Sequence, residues 1–486
     1  MKGVKGIPWY GAVLTLLLGA CSLAPPLKTP AIPTAVAYKE IGPWTQAQPG
    51  DRLPRDSWWT LYDNAELNEL QKRLIAGNPT LAAALANYAE ARALSDQARA
   101  GLFPTLGLGA GVERARESIN APLRGPTTPT YYNANTVGGS ASYELDLWGQ
   151  IRNEITAGEA NAAAAAADLE NARLSLTAQL VDDYVQLRSL DRDSAILDET
   201  VKAYTRALSL TKQRHDAGIA PGLDVSQAQT QLNAARSQEA QTLAQRALME
   251  HAIAALLGES ASTFSIKPAI VAIKLPQIPS GVPSTLLQRR PDIAAAQRRM
   301  IASNANIGVA RAAYFPTLTL GAQGGFQSNA FSNWLSAPSS FWAVGPNVLL
   351  SVFDGGLRRA QVAQARAEFD TSAANYRSTV VNAFQQVEDS LATLNHDHDA
   401  VLEEKAALDA AQRTLDLSMV LYVKGATDYL TVVTSQTVVL QTQLEALNLD
   451  TLQLRASVDL IRALGGGWED PAMAQNSKAM DRQRRG

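Results

Sequence analysis

The chain has 486 residues, of which 46% are hydrophobic and 18% charged, and 43 Lys and Arg stand against 46 Asp and Glu for a formal charge of −3. This balance is that of a globular chain with an ample core, and it excludes both disorder and the basic footprint of a protein that grips nucleic acid. A single cysteine excludes an internal disulfide.

The predicted elements begin with a leader over residues 1–20. Lys2 and Lys5 supply a positive n-region, Ala12 to Leu18 a short apolar stretch, and Leu18-Gly19-Ala20 the small residues of a cleavage site, directly before the cysteine. This run resembles the lipobox of bacterial lipoproteins, which implies that Cys21 is lipidated and becomes the mature N-terminus. The alternative is an ordinary signal peptide with an incidental cysteine. Ser22, standing where the sorting rule would otherwise read aspartate, favours the outer membrane. Residues 21–78 then form a lipid-anchored segment, its first part an extended tether through Pro25, Pro26, Pro30 and Pro33.

Beyond the leader no apolar run approaches the roughly 18 to 20 residues of a membrane helix. A mature chain that crosses a bilayer must therefore do so as a β-barrel, in which every backbone donor finds a partner.

From Pro79 the chain is duplicated, residues 79–258 being repeated in 291–465, with a linker over 259–290 and a tail over 466–486. At an offset of 212, Pro79 to Leu106 and Pro291 to Leu318 agree at 12 of 28 positions, both ending in Phe-Pro-Thr-Leu. Further on an offset of 207 pairs Gly218 with Gly425, Leu223 with Leu430, Val225 with Val432 and Gly258 with Gly465. The period is far too long for a solenoid.

Each copy reads as a helix, two strands and two more helices. The first helix is Thr80 to Leu102 or Asp292 to Tyr314. In the strands that follow, Leu106, Leu108 and Ala110 alternate with Thr105, Gly107 and Gly109, and Val137, Gly139, Ala141, Tyr143, Leu145 and Leu147 with Gly138, Ser140, Ser142, Glu144 and Asp146. The second copy sets Leu318, Leu320, Ala322 and Phe326 against Thr317, Thr319, Gly321 and Gln323, then Trp342, Val344, Val348, Leu350 and Val352 against Gly345, Asn347 and Ser351. Each run is about the 9 to 11 residues of a tilted transmembrane strand; half-buried hairpins on a soluble core would show the same period. Polar loops over Glu113 to Asn135 and Ser328 to Ser340 link the hairpins. Four strands cannot close a membrane barrel, which takes about eight, so the barrel must be assembled from several copies.

The long helices, Gly149 to Arg214 and Gly355 to Lys424, lack proline and at about 1.5 Å per residue reach on the order of 100 Å. Their apolar residues recur at three and four, as in Leu197, Val201, Tyr204 and Leu208, with a slip of register near Asp191 and Asp193. Each helix turns at a glycine and returns as a helix of about 35 residues; with the first helix of its copy, of about 23, the return helix would stack end to end to match the long one.

Catalysis has little support. The histidines are His215, His251, His396 and His398, with no nucleophile elbow or phosphate loop beside them, and His396-Asp397-His398-Asp399 places residues two apart on opposite sides of a helix. No metal site and no cofactor is expected, apart from the covalent lipid.

In this order, several motifs carry a resemblance over essentially the whole mature chain. They are Trp58-Trp59-Thr60-Leu61-Tyr62, Asn78-Pro79, the paired Phe-Pro-Thr-Leu strand entries, Arg289-Arg290-Pro291-Asp292-Ile293, Ala463-Leu464-Gly465-Gly466-Gly467-Trp468 and the two glycine turns. The chain resembles the TolC-like outer-membrane channels, in the lipoprotein branch typified by OprM and NodT. The resemblance implies a mainly α fold with a β-barrel part: a homotrimer with twelve strands in one outer-membrane barrel and twelve helices in a hollow periplasmic α-barrel. An equatorial belt would come from Tyr38 to Gly77, Glu259 to Arg290 and the region after Gly465. It also implies docking to a periplasmic adaptor and an inner-membrane pump of RND type, the whole exporting small molecules through a passive conduit. A type I protein secretion conduit of the same fold is the alternative, and a purely structural trimeric coiled coil would need no strands that are polar on one face and apolar on the other.

The helical turns are where this family closes its aperture and meets the adaptor. The resemblance makes Gly218, Leu223, Val225, Gly425, Tyr429 and Val432 the adaptor-contacting residues, and Asp428, Leu430, Thr434 and Asp224 the aperture. Family members commonly carry an acidic residue where Thr434 stands, so an acidic ring at that level is not expected here. Asp428 and Asp224 could supply acidity nearby, and either could instead be a helix N-cap.

Overall fold

The computed structural model describes residues 22–32, 37–40, 57–120, 122, 125–278 and 289–468. The leader, Cys21 and the tail beyond Trp468 lie outside these. The described residues fall into two units, one running to residue 30 and over 88–165 and 296–376, the other over the rest.

The first unit holds one antiparallel sheet in the order β1 (Thr105–Arg116), β2 (Tyr131–Leu145), β3 (Thr317–Ser328) and β4 (Ser340–Leu349). Its strands of 12, 15, 12 and 10 residues run past the expected apolar cores at the loop end. The first connection is therefore only residues 117–130, and the second holds two 3-10 turns, Phe331–Asn333 and Ala337–Ser339. At the other end Leu147, Leu350 and Val352, expected in strands, lie beyond them.

The helices are α1 (Ala65–Gly77), α2 (Pro79–Ala100), α3 (Gln150–Asp216), α4 (Gly222–Leu257), α5 (Pro291–Ala312), α6 (Leu357–Val423) and α7 (Tyr429–Ala463). Both long helices, α3 and α6, have 67 residues. Among the described residues no helix is long and apolar enough to cross a membrane.

The second unit shows how a return helix is spliced to the short helix of its copy. Gly258, with φ +74°, ends α4 against the carbonyl of Gly77, just before α2. Asn78 serves both helices: its Nδ2 donates to Leu256 O at 2.7 Å, closing the last turn of α4, and its Oδ1 accepts from Leu81 N at 2.8 Å, capping α2. Pro79 at the first helical position has no N–H to satisfy. The second copy repeats the joint with other chemistry. Gly465, at φ +88°, abuts Arg289, and Arg290 donates to Ala463 O at 2.8 Å while pairing with Asp292 at 2.7 Å.

Around these joints lies the main core. Trp58, Tyr62, Leu67 and Leu74 from the N-terminal segment pack with Tyr184 and Leu187 of α3, Ile253 and Leu257 of α4, Leu391 and Leu394 of α6, Leu460 and Ile461 of α7, and Phe264, Ile266 and Ile278 of the linker. The segment at 37–40 is tied down as well, Glu388 accepting from the backbone N–H of Lys39 and Glu40 at 2.9 and 3.0 Å. Helix α3 is unbroken where its apolar period slips. Asp191 turns inward there and binds Arg188 at 2.6 Å, Arg246 at 2.7 Å and the Ala269 N–H at 3.1 Å, with Arg188 also paired to Glu66. Arg188 and Asp191 are both buried, and paired charges of this kind are costly to break singly.

The splice glycines are testable against a turn glycine of similar φ. A Cβ on Gly218 (φ +73°) would meet nothing within 4 Å, whereas one on Gly465 would collide with the Arg289 carbonyl. Gly218→Ala should cost about 1 kcal/mol from backbone strain alone, and Gly465→Ala about 3 kcal/mol or more, read as the shift in denaturant midpoint followed by helical circular dichroism. Equal shifts would contradict the splice.

Candidate functional site

The sheet has one apolar face, and the register shows it to be continuous. Leu106, Leu108 and Ala110 lie opposite Ala141, Gly139 and Val137; these oppose Ala322, Gly324 and Phe326; and Leu318, Ala322 and Gly324 oppose Val348, Val344 and Trp342. The other face pairs Thr105 with Ser142, Ser140 with Gln323, Glu144 with Thr319 and Thr319 with Asn347, interrupted by Ala343 and Leu349. Leu108 is 96% exposed and Trp342 80%. A soluble hairpin would bury such a face; among the described residues nothing lies over this one.

Where the strands give way to helices, aromatics gather. Trp148 stacks on Phe315 with centroids 4.6 Å apart and donates its indole N–H to Pro316 O at 2.8 Å, and Arg358 lies 5.4 Å over Tyr314. Amphipathic rings in such a band suit a membrane–water boundary.

The far ends of the helices lie in the second unit. Each long helix stops in a Schellman turn around its glycine: the amides of Gly218 and Ile219 donate to His215 O and Arg214 O, and those of Gly425 and Ala426 to Tyr422 O and Leu421 O, all at 2.8 or 2.9 Å. The two hairpin tips share a core of Tyr204, Leu208, Ala228, Leu232, Tyr422, Tyr429 and Val432.

The structure separates the predicted tip residues into outer and inner sets. Leu223 and Leu430 are 64% and 54% exposed, Gly218 and Gly425 are exposed, and Val225 is half-buried. Tyr429 and Val432 point inward and are fully packed. Thr434 is exposed one turn after Leu430, and its hydroxyl donates back to Leu430 O at 2.9 Å. The two aspartates differ. Asp428 is the N-cap of α7, accepting from the Thr431 N–H at 3.1 Å and hydroxyl at 2.7 Å, and these bonds, the hydroxyl's first, hold its carboxyl below the usual range. Asp224 is not a cap, because Pro221 occupies that position; it is buried in the first turn of α4, where the Tyr422 hydroxyl donates to it at 3.4 Å.

Sequence reasoning missed Arg214 and Tyr422. The Arg214 guanidinium lies 4.8 Å from the Tyr422 ring centroid and donates to Val423 O at 3.2 Å, so it ties the first hairpin to the end of the second long helix. A tyrosine three residues ahead of the second glycine turn was the only signal, and the matching position in the first copy, 215, holds histidine. Burial, and then the charge of Asp224, push the Tyr422 hydroxyl up. Among the described residues no group of three or more His, Cys, Asp and Glu could hold a metal.

A lipid-facing sheet and paired helical hairpins agree with comparison to known proteins. The sequence profile of the outer membrane efflux proteins matches residues 70–259 and 282–466. The chain belongs to this family. The outer membrane is its location and efflux its task. It is 31% identical over 471 residues to the TtgC efflux pump outer membrane protein of Pseudomonas putida KT2440, covering 96% of this chain and 97% of that one. It is also 31% identical over 465 residues to the outer membrane protein OprJ of Pseudomonas aeruginosa, covering 94% and 95%. The solved outer-membrane channel OprN superposes with a TM-score of 0.85 at 29% identity, covering 93% of this chain and all of that one. The fold is thus that of the TolC-like channels.

The tie between the hairpins predicts that Arg214→Ala raises hydrogen exchange of the amides from Lys424 to Asp428 several-fold, a cation–π contact being worth about 0.5–2 kcal/mol. Substitution of the exposed Lys212 should leave it unchanged; equal effects would show that Arg214 holds nothing.

Proposed function

We propose that three copies of this chain form the outer-membrane conduit of a tripartite efflux pump, joined to a periplasmic adaptor and an inner-membrane pump of RND type, and that small molecules leave through its lumen. One observation carries the reading: a four-stranded sheet with a continuous apolar face and unshared edges on β1 and β4. Within lipid each edge must find a strand, and three sheets sharing edges give twelve strands in one barrel. The relatives named as efflux pump components support the partners. Cys21, which lies outside the described residues, carries the acyl chains in this reading.

The aperture would sit at the tips. Leu430 and Thr434 form an exposed face on α7 that three copies bring to a common axis. With Thr434 uncharged, closure rests on the apolar Leu430 and on the contacts that hold the tip beneath it, and Asp428 contributes a fixed negative charge at the rim. Adaptor contact would fall to Leu223, Gly218 and Gly425, with Val225 partly available, while Tyr429 and Val432 act from inside by setting the angle of the hairpins.

Leu430→Ala should therefore make cells take up a large antibiotic that the intact channel excludes, and raise the zero-voltage conductance of purified channels in planar bilayers. Unchanged uptake and unchanged conductance would remove Leu430 from the gate.

A further inference from the structure

The apolar face of the sheet carries charge at one place only. Along β1 the residues of that face run Leu106, Leu108, Ala110 and Val112, and then change to Arg114 and Arg116. On β2, β3 and β4 every side chain of the same face, from Tyr131 to Val348, is uncharged. The carboxylates of the strands, Glu113 and Glu144, belong to the opposite face. Two like charges therefore stand side by side on the surface turned to lipid, and neither has an ion-pair partner among the described residues. Across the ladder Arg114 meets Asn133 and Arg116 meets Tyr131, with the Arg116 guanidinium 5.7 Å from the Tyr131 ring centroid. All four side chains are exposed. A guanidinium held over a ring still presents its N–H fork at its edges, the geometry in which arginine takes a phosphate with two parallel bonds.

Height decides which part of the membrane these arginines meet. The hairpin is entered from α2 at Thr105 and left for α3 after Leu145, so Arg114 and Arg116 lie at the end farthest from the helices. From Leu106 to Arg116 the strand climbs roughly 26 Å, at about 3.4 Å per residue and a tilt of about 40°, which matches the apolar band of an outer-membrane barrel. Arginine is costly at the bilayer midplane but is tolerated at this level, where the lipid phosphates lie. With the helices in the periplasm the leaflet is the outer one, whose lipid is the phosphorylated glycolipid lipid A. We propose that Arg114 and Arg116, flanked by Tyr131 and Asn133, bind the phosphates of a lipid A molecule, one site per chain, with its acyl chains against the apolar side chains below. The inference rests on the reading of the sheet as part of a barrel embedded in lipid. The second hairpin offers no such site, because on the same face β3 ends in Phe326 and Ser328 and β4 opens with Ser340 and Trp342. The two arginines supply the neutralisation that lipid A phosphates otherwise draw from divalent cations, so the bound lipid should outlast the removal of those cations.

The test extracts the full-length protein from outer membranes in mild detergent, washes it with EDTA and measures the bound 3-hydroxy fatty acid, which lipid A contains and phospholipids lack. The unaltered protein should retain it, Arg114→Gln with Arg116→Gln should lower it several-fold, and Glu113→Gln, on the opposite face, should leave it unchanged. A second measurement needs no variant: the unaltered protein is reconstituted in phosphatidylcholine vesicles doped with bisphosphorylated lipid A, with its dephosphorylated form or with phosphatidylglycerol, re-extracted and assayed for the doped lipid. Only bisphosphorylated lipid A should be retained. Equal retention by the glutamine variant and the unaltered protein, or equal retention of the dephosphorylated lipid or of phosphatidylglycerol, overturns the site. Resistance of the unaltered protein to carbonate extraction from membranes is read separately. Protein released by carbonate would show that the barrel reading had failed, and embedded protein without selectivity for lipid A would show that this site alone had.

Discussion

In hydrocarbon an unpaired backbone N–H or C=O has no water to turn to, and the sheet of this chain has two rows of them. Strands β1 and β4 are each paired on one side only, while the apolar face spanning Leu106 to Val348 suits lipid and the opposite face, with Ser140, Glu144 and Gln323, suits water. A four-stranded sheet of this kind is not a stable object in a membrane by itself. Its edges must be met by further strands, and the duplication within the chain joins two hairpins in one sheet, which halves the number of edges per strand.

The same economy governs the helices. A return helix of 36 or 35 residues cannot match a partner of 67, so a second helix must continue it. The joints at Gly258 and Gly465 succeed because the left-handed glycine ends one helix while a side chain from the next, Asn78 or Arg290, satisfies the carbonyls it leaves. Two different residues solve one geometric problem at equivalent places. The hairpin tips show the reverse: similar Schellman turns carry dissimilar acids, one solvated at a cap and one buried beneath a tyrosine.

Much of this was legible in the sequence. Strand parity was, because Leu318, Leu320 and Ala322 alternate with Thr317, Thr319 and Gly321, and the period of two survives any error in the ends. The ends themselves were not, since Glu113, Arg116 and Tyr131 continue the ladder beyond the apolar stretch, where pairing no longer requires an apolar side chain. The glycine turns announced themselves. The different fates of Asp224 and Asp428 did not, because they depend on whether Pro221 or an aspartate takes the cap, and on Tyr422 arriving from almost two hundred residues away.

The requirement for shared edges is the claim on which the rest depends, and cross-linking across those edges tests it most directly. Single cysteines placed on the outer row of β1 and of β4, in a chain whose Cys21 is blocked or replaced, should form disulfides between copies in the membrane and yield a covalent trimer on denaturing gels. Monomer alone, or cross-linking confined within one chain, would contradict the account.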